Sequence, residues 1–462
     1  TRQCCGSRRP LPSSNALCLD VRGIWPGEPG AVDTVAQSET CLSRVYHARS
    51  AVMALGAIAL VIQTTLIFYS AYIFAMALGA LRRLKLQRGG DTPRTVRDFA
   101  VIVPALNEEM VIVQLLESFR IQDYPRDRFQ VYVVADNCTD RTAEVAREHG
   151  VIVYERFSES ERSKGYVIRF LLEQLRAAGV SHDVYVIMDA DNIVLPSFLS
   201  EMNRAFERGH HVVQGLRATK NPLESWTTRL DYISECAAEL ETRGRRGWGL
   251  SSGLRGTAMA FSSQLLDELG GWQECEGFHE DIKMQANCVL HGYRVAWWPE
   301  AVAYDEKLTS IRDISSQRSR WLAGDIQVFR KYFFRLLAGG IRRADFHRLE
   351  QALYLSRQML PRSSLAAGLL LMLCLSLFPF SQGVIWRWEI WAAALGGQFL
   401  CLIVGLLLAR APRSMYLALT ISPAFSLIWL WVLASSVVGR RRYRKASHAS
   451  SVTVDDILNK ER

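Results

Sequence analysis

The sequence has no CxxC pair and no Cys/His spacing of the kind zinc uses. Four of its ten cysteines (Cys4, Cys5, Cys18, Cys41) lie before residue 42 and the rest are scattered singly. That pattern gives no metal knuckle or redox motif, and isolated thiols of this sort behave as small apolar residues. Charge is also scarce, at 22% of residues against 49% hydrophobic, a balance that excludes a disordered or fibrous chain. Charge is missing altogether from four stretches: Ser50 to Leu81, Ser363 to Trp386, Ile390 to Ala409 and Ser414 to Gly439. A helix rises about 1.5 Å per residue and the hydrocarbon layer is about 30 Å thick, so each stretch is long enough to cross a bilayer.

The formal net charge is +9 over 462 residues. The excess sits beside the apolar stretches, as Arg82, Arg83, Lys85 and Arg88 after the first and Arg440, Arg441, Arg442, Arg444 and Lys445 after the last. Basic flanks of this kind orient a membrane protein and meet anionic lipid. No recognition motif accompanies them, so nucleic acid is not an expected partner. The expected organisation is an unstructured or upstream tail over 1–49, a membrane anchor over 50–82 and a cytoplasmic catalytic domain over 98–330. Amphipathic interface helices over 331–362, three membrane helices over 363–439 and a basic tail over 440–462 complete it. Three crossings after a cytoplasmic domain would leave the C-terminus outside, whereas Arg440 to Lys445 place it inside.

Within 98–330 short apolar runs alternate with helical spacing. Strands are predicted over 99–104, 129–135, 151–154 and 183–188, and helices over 107–120, 144–149 and 165–177. Such alternation predicts right-handed βαβ units, an α/β domain with a mainly parallel sheet, and ligands at the carboxyl ends of its strands. Asn107-Glu108-Glu109 follows the first strand and reads as a helix cap with acids in the first turn. Asp136 follows the second strand, where a carboxylate can accept hydrogen bonds from a base or sugar. Ser163-Lys164-Gly165 opens a helix as an anion site. After the fourth strand comes Asp189-Ala190-Asp191-Asn192, whose paired oxygen ligands suit a hard cation, Mg²⁺ or Mn²⁺, bridging diphosphate oxygens. Further on, His279-Glu280-Asp281 opens a helix and offers a general base. Gln317-Arg318-Ser319-Arg320-Trp321 offers a guanidinium for phosphate and an indole for a sugar ring.

Laid out in order, these pieces resemble the processive, membrane-integrated family 2 glycosyltransferases, the group of cellulose, hyaluronan and chitin-oligosaccharide synthases. The matching positions are Pro104 to Glu109, Asp136, Lys164-Gly165, Asp189-Ala190-Asp191, Gly256-Thr257, Glu280-Asp281 and Gln317 to Trp321, spread over about 220 residues. The resemblance implies a GT-A fold in a multi-pass inner-membrane enzyme that uses a UDP-sugar, UDP-glucose or UDP-N-acetylglucosamine, to extend a β-linked polysaccharide. Asp136 and Asp189 would hold the uridine and ribose, Asp191 the metal, and Lys164 the nucleotide. Asp281 would be the catalytic base, with Glu280, Gln317, Arg320 and Trp321 near the diphosphate and the acceptor end. His279 stands where the family commonly has Thr, and the chain lacks the larger channel and regulatory domains of cellulose synthases. Transfer of one sugar to a polyprenyl phosphate or other lipid is the alternative.

Overall fold

The computed structural model describes residues 31–82, 95–357, 388–421 and 452–461. The expected membrane stretch 363–386 lies outside them, as do 422–439 of the last stretch and the basic run 440–445. The chain divides into two compact units. The first holds residues 1–60 and 375–386, and its described part is the start of helix α1 (Ala31–Leu81). No Gly or Pro interrupts residues 31–55, so 31–49, expected to be unstructured, are helical. The second unit, 61–374 and 387–462, carries the sheet and the site.

Eight strands form one sheet: β1 (Phe99–Ala105), β2 (Phe129–Asp136), β3 (Ile152–Arg156), β4 (Val184–Ile187), β5 (Ile193–Val194), β6 (Val212–Thr219), β7 (Met259–Ser262) and β8 (Val295–Asp305). Their order is β3-β2-β1-β4-β7-β6-β8-β5. The half formed by β3, β2, β1 and β4 is parallel, as the βαβ spacing predicts. The other half corrects the expectation of a mainly parallel sheet. There β7 runs antiparallel to both β4 and β6, and β5 antiparallel to β8, while β6 and β8 are parallel. The sheet is mixed because β7 re-enters between β4 and β6 instead of joining an edge through another crossover.

Helices α2 (Ile112–Arg120), α3 (Thr142–Glu148), α4 (Lys164–Ala177) and α5 (Phe198–Glu207) belong to the crossovers. One core lies where α2 and α5 meet one face of the sheet, with Phe99, Val101, Leu115, Phe119 and Phe198 fully buried. The other lies under α4, with Ile102, Ile168, Leu171 and Phe261. Burial of such side chains stabilises by about 1.5–3 kcal/mol each, which is why the apolar runs dictate the register of the sheet.

The remaining helices are α6 (Trp226–Gly247), α7 (Ser263–Glu268), α8 (Glu280–Leu290), α9 (Ile311–Arg343), α10 (Phe346–Arg357), α11 (Trp388–Leu408), α12 (Arg413–Ala418) and α13 (Val454–Glu461). Ser225 and Thr228 form a capping box that fixes the start of α6. The end of α6 lies against α1 so closely that a Cβ on Gly244 would overlap the Met76 carbonyl. Helix α9 runs unbroken through residue 330, and α8, α9 and α10 share a core of Ile282, Val328, Tyr332, Leu336 and Leu355. Two helical segments among the described residues are long and apolar enough to cross a membrane, Gly56–Leu81 and Trp391–Leu408. Both keep apolar side chains exposed, Phe68, Phe74 and Leu78 on α1 and Phe399, Leu400 and Leu407 on α11.

Candidate active site

The loops after β1 and β2 are sewn together by side chains. Asn107 is not a helix cap. Its backbone is left-handed (φ 53), its Oδ1 accepts from the Thr139 amide at 2.7 Å, and its Nδ2 donates to Thr139 Oγ1 at 3.1 Å. Glu109 likewise accepts from the Arg141 amide at 2.9 Å. The Glu109 carboxylate, expected in a first helical turn, therefore bridges two strand ends, and α2 begins only at Ile112. Asp136 closes β2 as a buried carboxylate that accepts from Arg156 at 2.7 Å. The same guanidinium reaches Glu161 at 2.8 Å, so Asp136 is held rigidly at the carboxyl edge, two strands from Asp189.

Lys164 is the first residue of α4, capped by Ser163, whose hydroxyl accepts from the Tyr166 amide. Its Nζ donates to Asp189 Oδ1 and, at 2.6 Å, to the Gly256 carbonyl. Burial pulls this ammonium down, and the opposing carboxylates of Asp189, Glu280 and Asp281 outweigh it, so the group is held above the usual lysine range. The Asp189 amide donates to Thr257 Oγ1 at 3.0 Å, and Thr257 donates in turn to Asn192. Asp191 is 9% exposed. Its carboxylate accepts from Asn192 Nδ2 at 3.1 Å, and its carbonyl from the buried Lys220 at 2.9 Å. Lys164, Asp189, Asp191 and Gly256-Thr257, far apart in sequence, are thus joined at the ends of β4 and β7.

Glu280 and Asp281 open α8. Burial and the neighbouring Asp281 push the Glu280 carboxyl above its usual range, against the pull of Lys164. Ahead of them His279 is left-handed (φ 61), a conformation that β-carbon sterics disfavour. Its Nε2 lies 2.7 Å from the Trp321 carbonyl, and its ring sits where a Cβ on Gly324 would overlap it. This clamp brings α9, and with it Gln317, Arg320 and Trp321, to the start of α8. Trp321 is 38% exposed, while Gln317 and Arg320 are half-buried. The guanidinium of the intervening Arg318 turns away to Asp231 at 2.5 Å.

Residues not singled out by the sequence support this site from behind. Arg217 reaches Glu235 at 2.5 Å, Lys307 reaches it at 2.9 Å, and Arg255 also pairs with it. Burial would raise the Glu235 carboxyl, but these three cations hold it well below the usual range. Arg217 also donates to the Arg255 carbonyl at 3.1 Å, so the cluster fixes the loop entering Gly256-Thr257. No local spelling marks it, because its members come from β6, α6 and two loops.

A divalent cation fits the donor set by chemistry. Mg²⁺ and Mn²⁺ take oxygen ligands, commonly one or two carboxylates completed by substrate phosphates, and Asp189 and Asp191 offer oxygen alone. Among the described residues no group of three or more His, Cys, Asp or Glu is placed to hold an ion, so the protein would contribute only part of the coordination shell.

Residues 94–324, half of the chain, match the family described as glycosyltransferase like family 2. The probable glycosyltransferase YdaM of Bacillus subtilis is 28% identical over 51% of this chain and 58% of its own length. The beta-monoglucosyldiacylglycerol synthase of a Synechocystis strain is 26% identical over 56% of each chain. The chain spans about half the length of the curated relatives it matches. Among solved structures, a mannosyltransferase from Pyrobaculum calidifontis in complex with GDP-Man and Mn2+ superposes with TM-score 0.54 at 18% identity, covering 83% of this chain and 98% of that one, and shares its fold. With a mixed α/β sheet of this type and a match over half its residues, the chain belongs to glycosyltransferase family 2.

Proposed function

We propose that the protein is an inverting glycosyltransferase that moves a hexose from a UDP-sugar onto a hydroxyl of an acceptor held at a bilayer, extending a β-linked polysaccharide. The observation that carries this reading is the meeting of Lys164 with Asp189 under the field of Glu280 and Asp281. Asp136 and Asp189 hold the nucleoside, and Lys164 and Arg320 face the diphosphate. A divalent cation on Asp191 would supply further charge neutralisation when bound. Asp281 takes the proton of the acceptor hydroxyl as that oxygen bonds to the anomeric carbon. The bond from that carbon to the β-phosphate oxygen breaks, its electron pair leaves with UDP, and configuration inverts. Trp321, partly exposed and bonded through its carbonyl to His279, offers a face for the acceptor sugar.

The exposed apolar faces of α1 and α11 support attachment to a bilayer, with the catalytic domain on its cytoplasmic side. A second reading, transfer of one sugar to a lipid, is favoured by the likeness to a beta-monoglucosyldiacylglycerol synthase. Membranes carrying the protein should release UDP from one UDP-sugar of a panel and lose that release in EDTA. Asp281→Asn should lower kcat by about 10²- to 10⁴-fold, the usual weight of a positioned base. Metal-independent turnover or an active Asp281→Asn variant would overturn the mechanism. Sizing the product separates the acceptors, since a polymer supports extension and a single-sugar lipid the second reading.

A further inference from the structure

The last described helix, α13, returns to the catalytic domain and seats itself beside the turn from Asp189 to Asn192. Ile457 is 1% and Val454 9% exposed, and they share a core with Ile193, Tyr304, Leu195 and Val302. Three polar contacts fix the seat. The Val454 amide donates to Gln114 of α2 at 3.1 Å, the Tyr304 hydroxyl donates to Glu461, and Lys460 stands over the Tyr304 ring. Thr453 and Asp456 bond each other at the start of the helix, so the short α13 is capped locally.

What α13 covers is the weakest strand of the sheet. β5 has only two residues, Ile193 and Val194, and pairs with β8 alone, at the sheet edge. A ladder this short orders a strand poorly without packing on its faces. Val194 is held from one side, where its amide donates to Ser118 Oγ at 3.2 Å and its side chain enters the α2 core. Ile193 is held from the other by Ile457 and Tyr304. Asp191 and Asn192 precede Ile193 directly, so whatever fixes Ile193 fixes the end of the Asp189-to-Asn192 turn. Asp305, at the far end of β8, bonds through its carbonyl to the amide of Lys220, whose side chain holds the Asp191 carbonyl.

We propose that α13 is a positioning strap, in which Ile457 wedges β5 and so holds Asp191 and Asn192 in the donor-binding geometry. The apolar stretches and the basic run thereby end in a segment that completes the site at its own sheet edge. Unseating α13 frees β5 and the turn before it, weakens donor binding, and leaves β1, β2 and Asp136 in place.

The full-length protein is tested with a graded series: Glu461→Ala, Leu458→Ala and Ile457→Asp, with exposed Asp455→Asn as control. Hydrogen exchange over residues 189–195 should rise in that order while exchange over 99–105 stays unchanged. The KM for the UDP-sugar should rise at least fivefold in Ile457→Asp, with a smaller change in kcat. A chain ending at Ser451 should behave like Ile457→Asp and recover when a peptide of residues 452–461 is added. The role in catalysis rests on the donor reading of Asp189 and Asp191, whereas the exchange arm does not. Altered exchange with unchanged donor KM would keep the wedge and sink its catalytic role. Unchanged exchange at 189–195 in both Ile457→Asp and the shortened chain would overturn the strap itself.

Discussion

Lys164 and Glu280 set the electrostatic balance of the site, and the sign of their coupling is testable. Burial and Asp281 raise the Glu280 carboxyl, and Lys164 opposes them. Removing the ammonium by Lys164→Met lifts that opposition, so the Glu280 carboxyl gives up its proton only at higher pH. The acid limb of the kcat/KM profile should then move to higher pH, because Glu280 adjoins the base Asp281 and its ionisation is carried in that limb. Lys164→Arg, which keeps the charge, should leave the limb near its original position. A limb unmoved in Lys164→Met, with the protein folded, would show that the pair does not govern turnover. The burial of Lys164 by Asp189 and the Gly256 carbonyl also explains why no spelling near residue 164 announces its partners, which lie 25 and 92 residues on.

At the scale of elements, the clamp between α8 and α9 depends on one missing side chain. His279 fills the space above Gly324, so Gly324→Ala forces the ring or the helix to move. Overpacking of this kind costs about 1–3 kcal/mol. Gly324→Ala should lower the melting temperature and weaken catalysis together. The double variant Gly324→Ala/His279→Ala should regain most of the stability, a non-additivity expected only of residues in contact. Equal losses in single and double variants would remove the clamp. His279 also shows what the sequence could and could not convey. The strand ends carrying Asp136, Asp189 and Asp191 were readable, since an apolar run ending in an acid marks the carboxyl edge of a parallel sheet. The start of α2 lies five residues beyond Asn107, because an Asn that could cap a helix can equally bridge two loops. The antiparallel half was illegible, because β5 and β7 have two and four residues and their places depend on long-range packing. The cluster around Glu235 and the seat of α13 on β5 are likewise tertiary facts without local periodicity.

For the whole molecule, the two candidate membrane helices share one direction. Gln398 of α11 bonds Ser70 of α1 at 3.1 Å, while Ala77 and Ala80 of α1 pack with Cys401, Val404 and Leu408. The two helices therefore run parallel. Both deliver their C-terminal ends to α6, α1 through Met76 at Gly244 and α11 through Leu406 against Leu230 and Ile233. On the membrane reading proposed above, Leu81 and Leu408 both lie on the catalytic side. So does α12, whose Met415 packs in the same cluster on α6. Since α13 is docked on β5 and β8, Ile421 and Val452 lie on that same side. The basic run Arg440 to Lys445 lies outside the described residues, and its charge carries the expectation that it faces the catalytic side. A reporter fused after Lys445, read by enzyme tags active on only one side of the membrane, should report the same side as a tag inserted in the exposed loop at Gly209. Opposite sides for the two tags would separate α13 from the domain it is seated on.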